Sequence, residues 1–274
     1  MIYDCFLYYD EDMLLELRLN VLNAYVDKFV IVESTHSFTG QPVALHFDIN
    51  KFAQFKDKII YVVFDEKPVE DSWTNEARTR NAIMNGLTEA KDDDIIIVSD
   101  VDEIIRPESL SGYKPNYLCS ALYQNFYNYQ FNLQVFNTDG SPRQCTLPKM
   151  TSYKNLRTFF NGEPETLRNV KRSAIRKNWL KWRWLKLRTH IIKNAGWHFS
   201  WIMTAERISE KMSTISHTEY DTPELNNQEH IRNAMEKGLD IWARERNLQV
   251  VDFHQGDFPS WLKQNADRFA EFIR

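Results

Sequence analysis

The chain has 274 residues, 43% hydrophobic and 26% charged, which is enough apolar material for a sizeable core in one elaborated domain or two small ones. It has no run of eighteen or more apolar residues, and Met1-Ile2-Tyr3-Asp4 opens without the basic and apolar regions of a secretory signal. A spanning helix and a leader are therefore excluded as expectations, and a cytoplasmic location is expected. Cys5, Cys119 and Cys145 are widely spaced, odd in number and form no C-x-x-C, which suits buried thiols rather than a disulfide framework. The net charge of −4 conceals a polarity. Residues 166–205 hold ten Lys or Arg and no acid, so the remainder is near −14, with 24 basic residues against 38 acidic. A molecule polarised in this way offers its basic side to something anionic.

In chain order, Ile2–Tyr9 is an apolar and aromatic run that predicts a strand. From Met13, apolar Leu14, Leu17, Val21 and Tyr25 recur at helical spacing, with Asp10 or Asp12 available as a cap. Phe29–Val32 and Ile59–Val63 are β-branched runs of the kind buried on both faces of a sheet. A polar turn, Ser34–Pro42, lies between them. Trp73–Ala90 predicts a long helix with Ala77, Ile83 and Leu87 toward the core. Ile95–Val98 is a third strong strand and ends in Ser99-Asp100-Val101-Asp102-Glu103. Strand alternating with helix implies a mostly parallel, Rossmann-type α/β sheet flanked by helices. Ligands of such sheets sit beyond the carboxyl ends of the strands. After Pro107 the texture changes. Leu118–Gln134 and Cys145–Tyr153 are expected to pair as strands, and Ile191–Trp201 to form another. The C-terminal part is expected to be helical at 205–214, 226–237 and 259–273. No repeat or linker interrupts 1–274, so a single domain is expected, with a nucleotide-binding half (1–110) and an acceptor-side half (111–274).

Asp100 and Asp102 stand two apart at a strand end, where i and i+2 share a face. Two hard carboxylates there can hold Mg²⁺ or Mn²⁺ and leave positions open for phosphate oxygens. Such an ion offsets the charge that develops on a diphosphate leaving group. The plainer alternative is that both acids cap the following turn. Arg78 and Arg80, two apart on one helix, do not share a face. Arg80 is favoured to reach the phosphates or the acidic loop, and Arg78 to be solvated.

Several stretches together resemble glycosyltransferase family 17, which has the GT-A type of fold. They are Tyr3-Asp4-Cys5-Phe6 with Tyr9-Asp10-Glu11, Val26–Ser34 with Phe38-Thr39-Gly40, and Ser99–Ile104, while the helix Asn75–Ala82 leading into Asp100-Val101-Asp102 resembles GT-A glycosyltransferases generally. Ala195-Gly196-Trp197-His198-Phe199-Ser200 and Ser216-His217-Thr218-Glu219-Tyr220 complete the set. The resemblance runs from residue 1 to about 220. It implies UDP-N-acetylglucosamine as donor, Mn²⁺ or Mg²⁺, inversion at the anomeric carbon, and a glycan or lipid-linked glycan as acceptor. It also implies that Asp100 and Asp102 hold metal and ribose, and that Glu33 faces the uridine. His198 is expected as a third metal ligand or diphosphate contact, against the alternative of a satisfied core histidine.

Inversion needs a general base for the acceptor hydroxyl. Glu219, Asp221 and Asp257 are candidates because they fall in polar, turn-like segments. His217 is another, and Glu103 could serve but is better placed to brace the metal loop. Residues 176–188 interleave three Trp with six Lys or Arg, which suits a membrane interface, here the inner face. A core helix with a solvated basic face is the competing reading, and nucleic acid is not expected. Two rival functions remain: a non-catalytic membrane or glycan-binding module using this segment, and a haloacid-dehalogenase-like phosphatase. The latter pattern wants its Asp pair near the start of the chain, with Thr or Val two residues after the second Asp.

Overall fold

The computed structural model describes residues 1–274. Strands β1 (Ile2–Leu7), β2 (Lys28–Ser34), β3 (Ile59–Phe64) and β4 (Ile95–Asp100) run parallel in the order β4-β1-β2-β3. Helix α1 (Asp12–Leu22) connects β1 to β2, and α2 (Ser72–Asn81) precedes β4. Alternation along each strand sends neighbouring residues to opposite faces. Phe6, Phe29, Ile31 and Ile97 pack with Leu15, Leu19 and Leu22 of α1. Cys5, Val30, Val32, Ile96 and Val98 pack on the other face with Ile83 and Leu87. Burial on both faces is why these strands read as continuous apolar runs.

The helix expected over 73–90 stops at Asn81. Asp71 caps its start, accepting from the Thr74 N–H at 2.9 Å, and the chain then tightens into a 3₁₀ turn over Ala82–Gly86. The turn lies directly on the sheet: a Cβ at Gly86 would come 2.4 Å from Val30 Cγ1.

The next strands are β5 (Glu103–Ile105), β6 (Cys119–Leu122), β7 (Gln124–Asn128), β8 (Leu133–Phe136), β9 (Gln144–Cys145) and β10 (Lys149–Ser152). The expected pairing of 118–134 with 145–153 occurs, but across two sheets. β10 lies antiparallel between β4 and β6, while β9 pairs with β7. Helices α3 (Tyr153–Thr158), α4 (Pro164–Arg168), α5 (Ala174–Lys177) and α6 (Trp179–Leu187) follow, then β11 (Thr189–Ile192) and β12 (Gly196–Ser200). The strand expected over 191–201 is therefore two strands, one in each sheet. The remaining elements are α7 (Ala205–Met212), α8 (Gln228–Lys237), β13 (Asn247–Val250) and α9 (Ser260–Gln264). The C-terminal part thus carries its helices in short pieces, the one expected over 259–273 being α9 followed by a 3₁₀ turn over Ala266–Phe272, and it adds β13, which pairs with β8. The result is a mostly parallel seven-stranded sheet, β11-β6-β10-β4-β1-β2-β3, and a six-stranded sheet, β13-β8-β7-β12-β5 with β9 on β7. No helix is long and apolar enough to cross a membrane.

The break between β11 and β12 depends on Gly196, whose φ of +141° favours glycine and where a Cβ would lie 2.1 Å from the Ile104 carbonyl oxygen. Gly196→Ala is therefore expected to cost more than about 2 kcal/mol, measured as a drop in the urea midpoint. An unchanged midpoint would mean that β5 and β12 part easily.

Candidate functional site

The carboxyl end of β4 opens onto a cleft of about 680 Å³ lined by residues of both sheets, among them Phe126 of β7 and His198 of β12. β4 ends at Asp100, and Val101-Asp102 form a turn into β5. The two acids therefore do not share a continuous strand as the spacing suggested, although both line the cleft.

The strand alternation that built the core also decides which partners meet this turn. Asp4 and Ser99 face α1, where the fully buried Arg18 binds both. Its Nε and Nη2 donate to the Asp4 carboxylate at 2.7 and 2.6 Å, and Nη2 donates to Ser99 Oγ at 2.5 Å. Its Nη1 donates to the carbonyls of Asp100, Glu103 and Val101 at 2.7, 3.0 and 3.3 Å. One guanidinium thus sets the backbone of the whole turn.

Asp100 faces the other side, toward α2 and α4. Arg168 Nη2 donates to its Oδ2 at 2.5 Å, and Arg80 Nη2 lies 3.2 Å from its Oδ1. Arg80 is itself buried and held by Glu76 at 2.6 Å and Glu165 at 3.1 Å. Arg168 also binds both oxygens of Glu103, which in addition accepts from the Asp100 N–H at 2.8 Å. Glu103 is fully buried. Burial works against its charge, but Arg168 outweighs that and holds its pKa down at about 2. For Asp100, burial prevails over Arg168 and Arg80, with Glu103 and Asp102 adding to the rise, and its pKa is pushed up to about 6.

Asp102 has one partner, His198, whose Nε2 lies 3.3 Å from its Oδ2. Burial disfavours a charged ring there, yet Asp102 holds the His198 pKa well above its ordinary value. A cation at this pair would have to displace that proton. Asp102 Oδ1 is buried without a hydrogen-bond partner, and so is His198 Nδ1 on the other edge of the ring. Orphaned atoms of this kind fit a missing ion better than a finished network.

The ligand atoms that gather within 4.8 Å of one another are those of Glu103, Cys145 and His198. That is not the expected trio of Asp100, Asp102 and His198, because Arg80 and Arg168 draw Asp100 aside. These three are close enough to share a divalent cation. Their bonding favours a brace instead: the Cys145 thiol donates to Glu103 at 3.1 Å, and burial and then Glu103 push its pKa up, away from thiolate. Asp102 and His198 bring an oxygen and an imidazole nitrogen without a thiol, donors that suit a harder cation than a set with Cys145.

The other expected residues divide. Arg80 lines the cleft beside Asp100. Arg78 points away, paired with Glu66 and the Lys67 carbonyl. Glu33 is buried off the cleft. Its oxygens accept from the His46 and Phe47 N–H groups at 2.6 and 3.2 Å and from the Tyr61 hydroxyl at 2.7 Å, so it braces residues 46–47 rather than facing a ligand. Asp257 is exposed and bound to Arg106 at 2.5 Å, outside the cleft wall. Asp221 is also outside the wall, accepting from Asn226 at 2.5 Å. Glu219 does not line the cleft, but its Oε1 lies 2.7 Å from Nδ1 of His217, which does.

Sequence reasoning missed Arg18, Arg168 and the other cations that line the cleft. Lys149, Lys171, Arg172, Lys211 and Arg244 all reach the cleft. Lys171 and Arg172 form no ion pair, and Arg172 lies 3.4 Å over the Trp73 ring. Burial pushes Lys149 down to about 8. The cleft therefore gathers cations around an acidic turn; Lys211 and Arg244 are paired with Glu11 and Asp240, and Lys171 and Arg172 are not paired with any carboxylate.

Residues 1–159 match the profile of glycosyltransferase family 17. The β-1,4-mannosyl-glycoprotein 4-β-N-acetylglucosaminyltransferase of Homo sapiens is 24% identical over 284 aligned positions, covering 93% of this chain and 52% of that protein. The protein of the same name from Rattus norvegicus is 23% identical, covering 95% and 52%. The chain spans about half the length of these curated relatives. Among solved structures, 4-diphosphocytidyl-2C-methyl-D-erythritol synthase superposes with a TM-score of 0.40 at 14% identity, covering 70% of this chain and 88% of that one.

Proposed function

We propose a sugar-transfer reaction for this chain, which belongs to glycosyltransferase family 17: it moves N-acetylglucosamine from a UDP-sugar to a glycan or lipid-linked glycan, with inversion. The carrying observation is the acidic turn with the unpartnered Asp102 Oδ1, in a cleft that is also lined by Lys171 and Arg172. Asp102 and His198 would hold Mn²⁺ or Mg²⁺, with Asp100 turned to the ion or the ribose. Bound there, the ion would neutralise charge on the departing diphosphate. Lys171 and Arg172, free of carboxylate partners, are placed to meet the phosphates. Membership of the family removes the ground for the phosphatase reading.

His217 is the best-placed proton acceptor in the cleft. Glu219 fixes its Nδ1, leaving Nε2 for the acceptor hydroxyl. Trp73 packs edge-on against the His217 ring at 4.6 Å and Trp242 lies tilted to it at 5.0 Å, which holds the imidazole in place. Although partial burial opposes it, the hydrogen bond from His217 holds Glu219 below its ordinary pKa, so it stays ionised as the orienting partner. His217→Gln is expected to lower transfer by about 100-fold or more and to leave UDP affinity unchanged. Glu219→Gln should fall between that variant and wild type. Equal rates for His217→Gln and wild type would return the base to the unassigned acids.

The test of the reading as a whole is calorimetric titration with UDP, UDP-N-acetylglucosamine and GDP-mannose, with and without Mn²⁺. Uridine nucleotide binding that requires the metal is expected. No metal-dependent binding of any of the three to folded protein would overturn the reading.

A further inference from the structure

The basic, Trp-rich stretch is not absorbed by the cleft. Within it, α6 buries only Leu185. At about 3.6 residues per turn, Trp179, Leu180, Trp184 and Leu187 fall on the opposite face, where they are 66%, 69%, 50% and 66% exposed. Trp179 and Trp184 are the only strongly exposed members of the chain's eight tryptophans. Large apolar side chains gathered on one side of a short helix, with nothing from the rest of the chain covering them, mark a surface made for contact.

The charges around this face identify the contact. Arg183 rises within it, its guanidinium 5.9 Å over Trp179. Lys181 and Lys186 flank it, and both are exposed. Arg176 and Lys177 precede it, and no acid occurs from 166 to 205. An apolar wedge of Trp and Leu ringed by cations meets the requirements of a lipid headgroup boundary: indoles lie at the interface, aliphatic chains beneath, and cations against anionic headgroups. A second copy of this chain fits poorly, because a two-fold contact through this face would press Arg183, Lys181 and Lys186 against their own equivalents.

We propose that α6 docks the protein onto an anionic membrane surface. The run from α4 through α5 to α6 packs in succession, and Lys171 and Arg172 at its start belong to the cleft wall. Docking would hold one wall of the cleft close to the bilayer. The inference stands on the exposed face alone and does not depend on the sugar-transfer reading.

The test is co-sedimentation with vesicles of equimolar phosphatidylcholine and phosphatidylglycerol, compared with phosphatidylcholine alone. Wild type is expected to pellet with the anionic vesicles, with blue-shifted tryptophan emission, and to be released by salt. Trp179→Ser/Trp184→Ser should weaken partition by about tenfold or more, with circular dichroism and UDP binding unchanged. Lys181→Glu/Lys186→Glu should remove the preference for anionic lipid. Wild type left in the supernatant, or a Trp pair variant that binds as well as wild type, would overturn the proposal. So would a dimer that the Trp pair variant abolishes without any vesicle binding, since that would give the face to a second copy.

Discussion

Asp102→Asn is expected to abolish metal-dependent UDP binding and to lower sugar transfer by about 100- to 1000-fold, with the unfolding midpoint close to that of wild type. The second half of this expectation follows from how little else Asp102 does. Its carboxylate touches His198 alone, at 3.3 Å, and its other oxygen is unpartnered. The neighbouring acids are structural in a way that Asp102 is not: Glu103 and Asp100 share Arg168, and their removal would strand a buried guanidinium. A loss of binding in Asp102→Asn can therefore be read as chemistry rather than damage. Should the variant bind UDP with unchanged Mn²⁺ dependence, the ion sits elsewhere. Glu103, Cys145 and His198 would then be the next place to look.

Arg18→Met is expected to cost about 3–5 kcal/mol, because it leaves the Asp4 carboxylate buried and unpaired. Stabilities of domains are themselves about 5–15 kcal/mol, so partial unfolding at ambient temperature would be no surprise. Arg18→Met/Asp4→Leu removes both charges and should recover much of the stability. UDP binding should not return with it, since the carbonyls of Asp100, Val101 and Glu103 would still lack their donor. Urea unfolding and UDP titration on the same pair of variants separate the two effects. Recovery of both stability and binding in the double variant would mean that the turn holds its shape without Arg18.

These two variants also mark how far the sequence could be read. The β1–β4 order, the apolar runs and the acidic end of β4 were legible because a strand buried on both faces leaves an unmistakable pattern. Asp102 and His198 were legible as candidates, and both line the cleft, although β5 and β12 bring them together by a pairing that no local periodicity announces. Arg18 left a signal that went unread. It sits among Leu15, Leu19 and Leu22 on the apolar face of α1, and Asp4 interrupts an otherwise apolar strand. A charge inside each of two facing apolar patterns implies that they meet. Arg168 left no such sign, because α4 has five residues and no period to break. The base could not be chosen for a different reason. Glu219 and Asp221 are two residues apart in similar polar sequence, and only the three-dimensional position of His217 separates them. The helix over 73–90 was overextended because its pattern of apolar residues continues through the 3₁₀ turn that follows Asn81.

Arg18 and Arg168 grip the acidic turn from opposite faces of one sheet, and they are made at very different times. A chain emerging from the ribosome has Arg18 well before Asp100, so the α1 side of the turn can close as soon as β4 is available. Glu103 must wait for a partner 65 positions further on. Until Arg168 has been added, its carboxylate has no guanidinium to neutralise it and little reason to leave water. The site that the N-terminal strands prepare is thus completed late in synthesis, by a short helix that belongs to the second half of the chain.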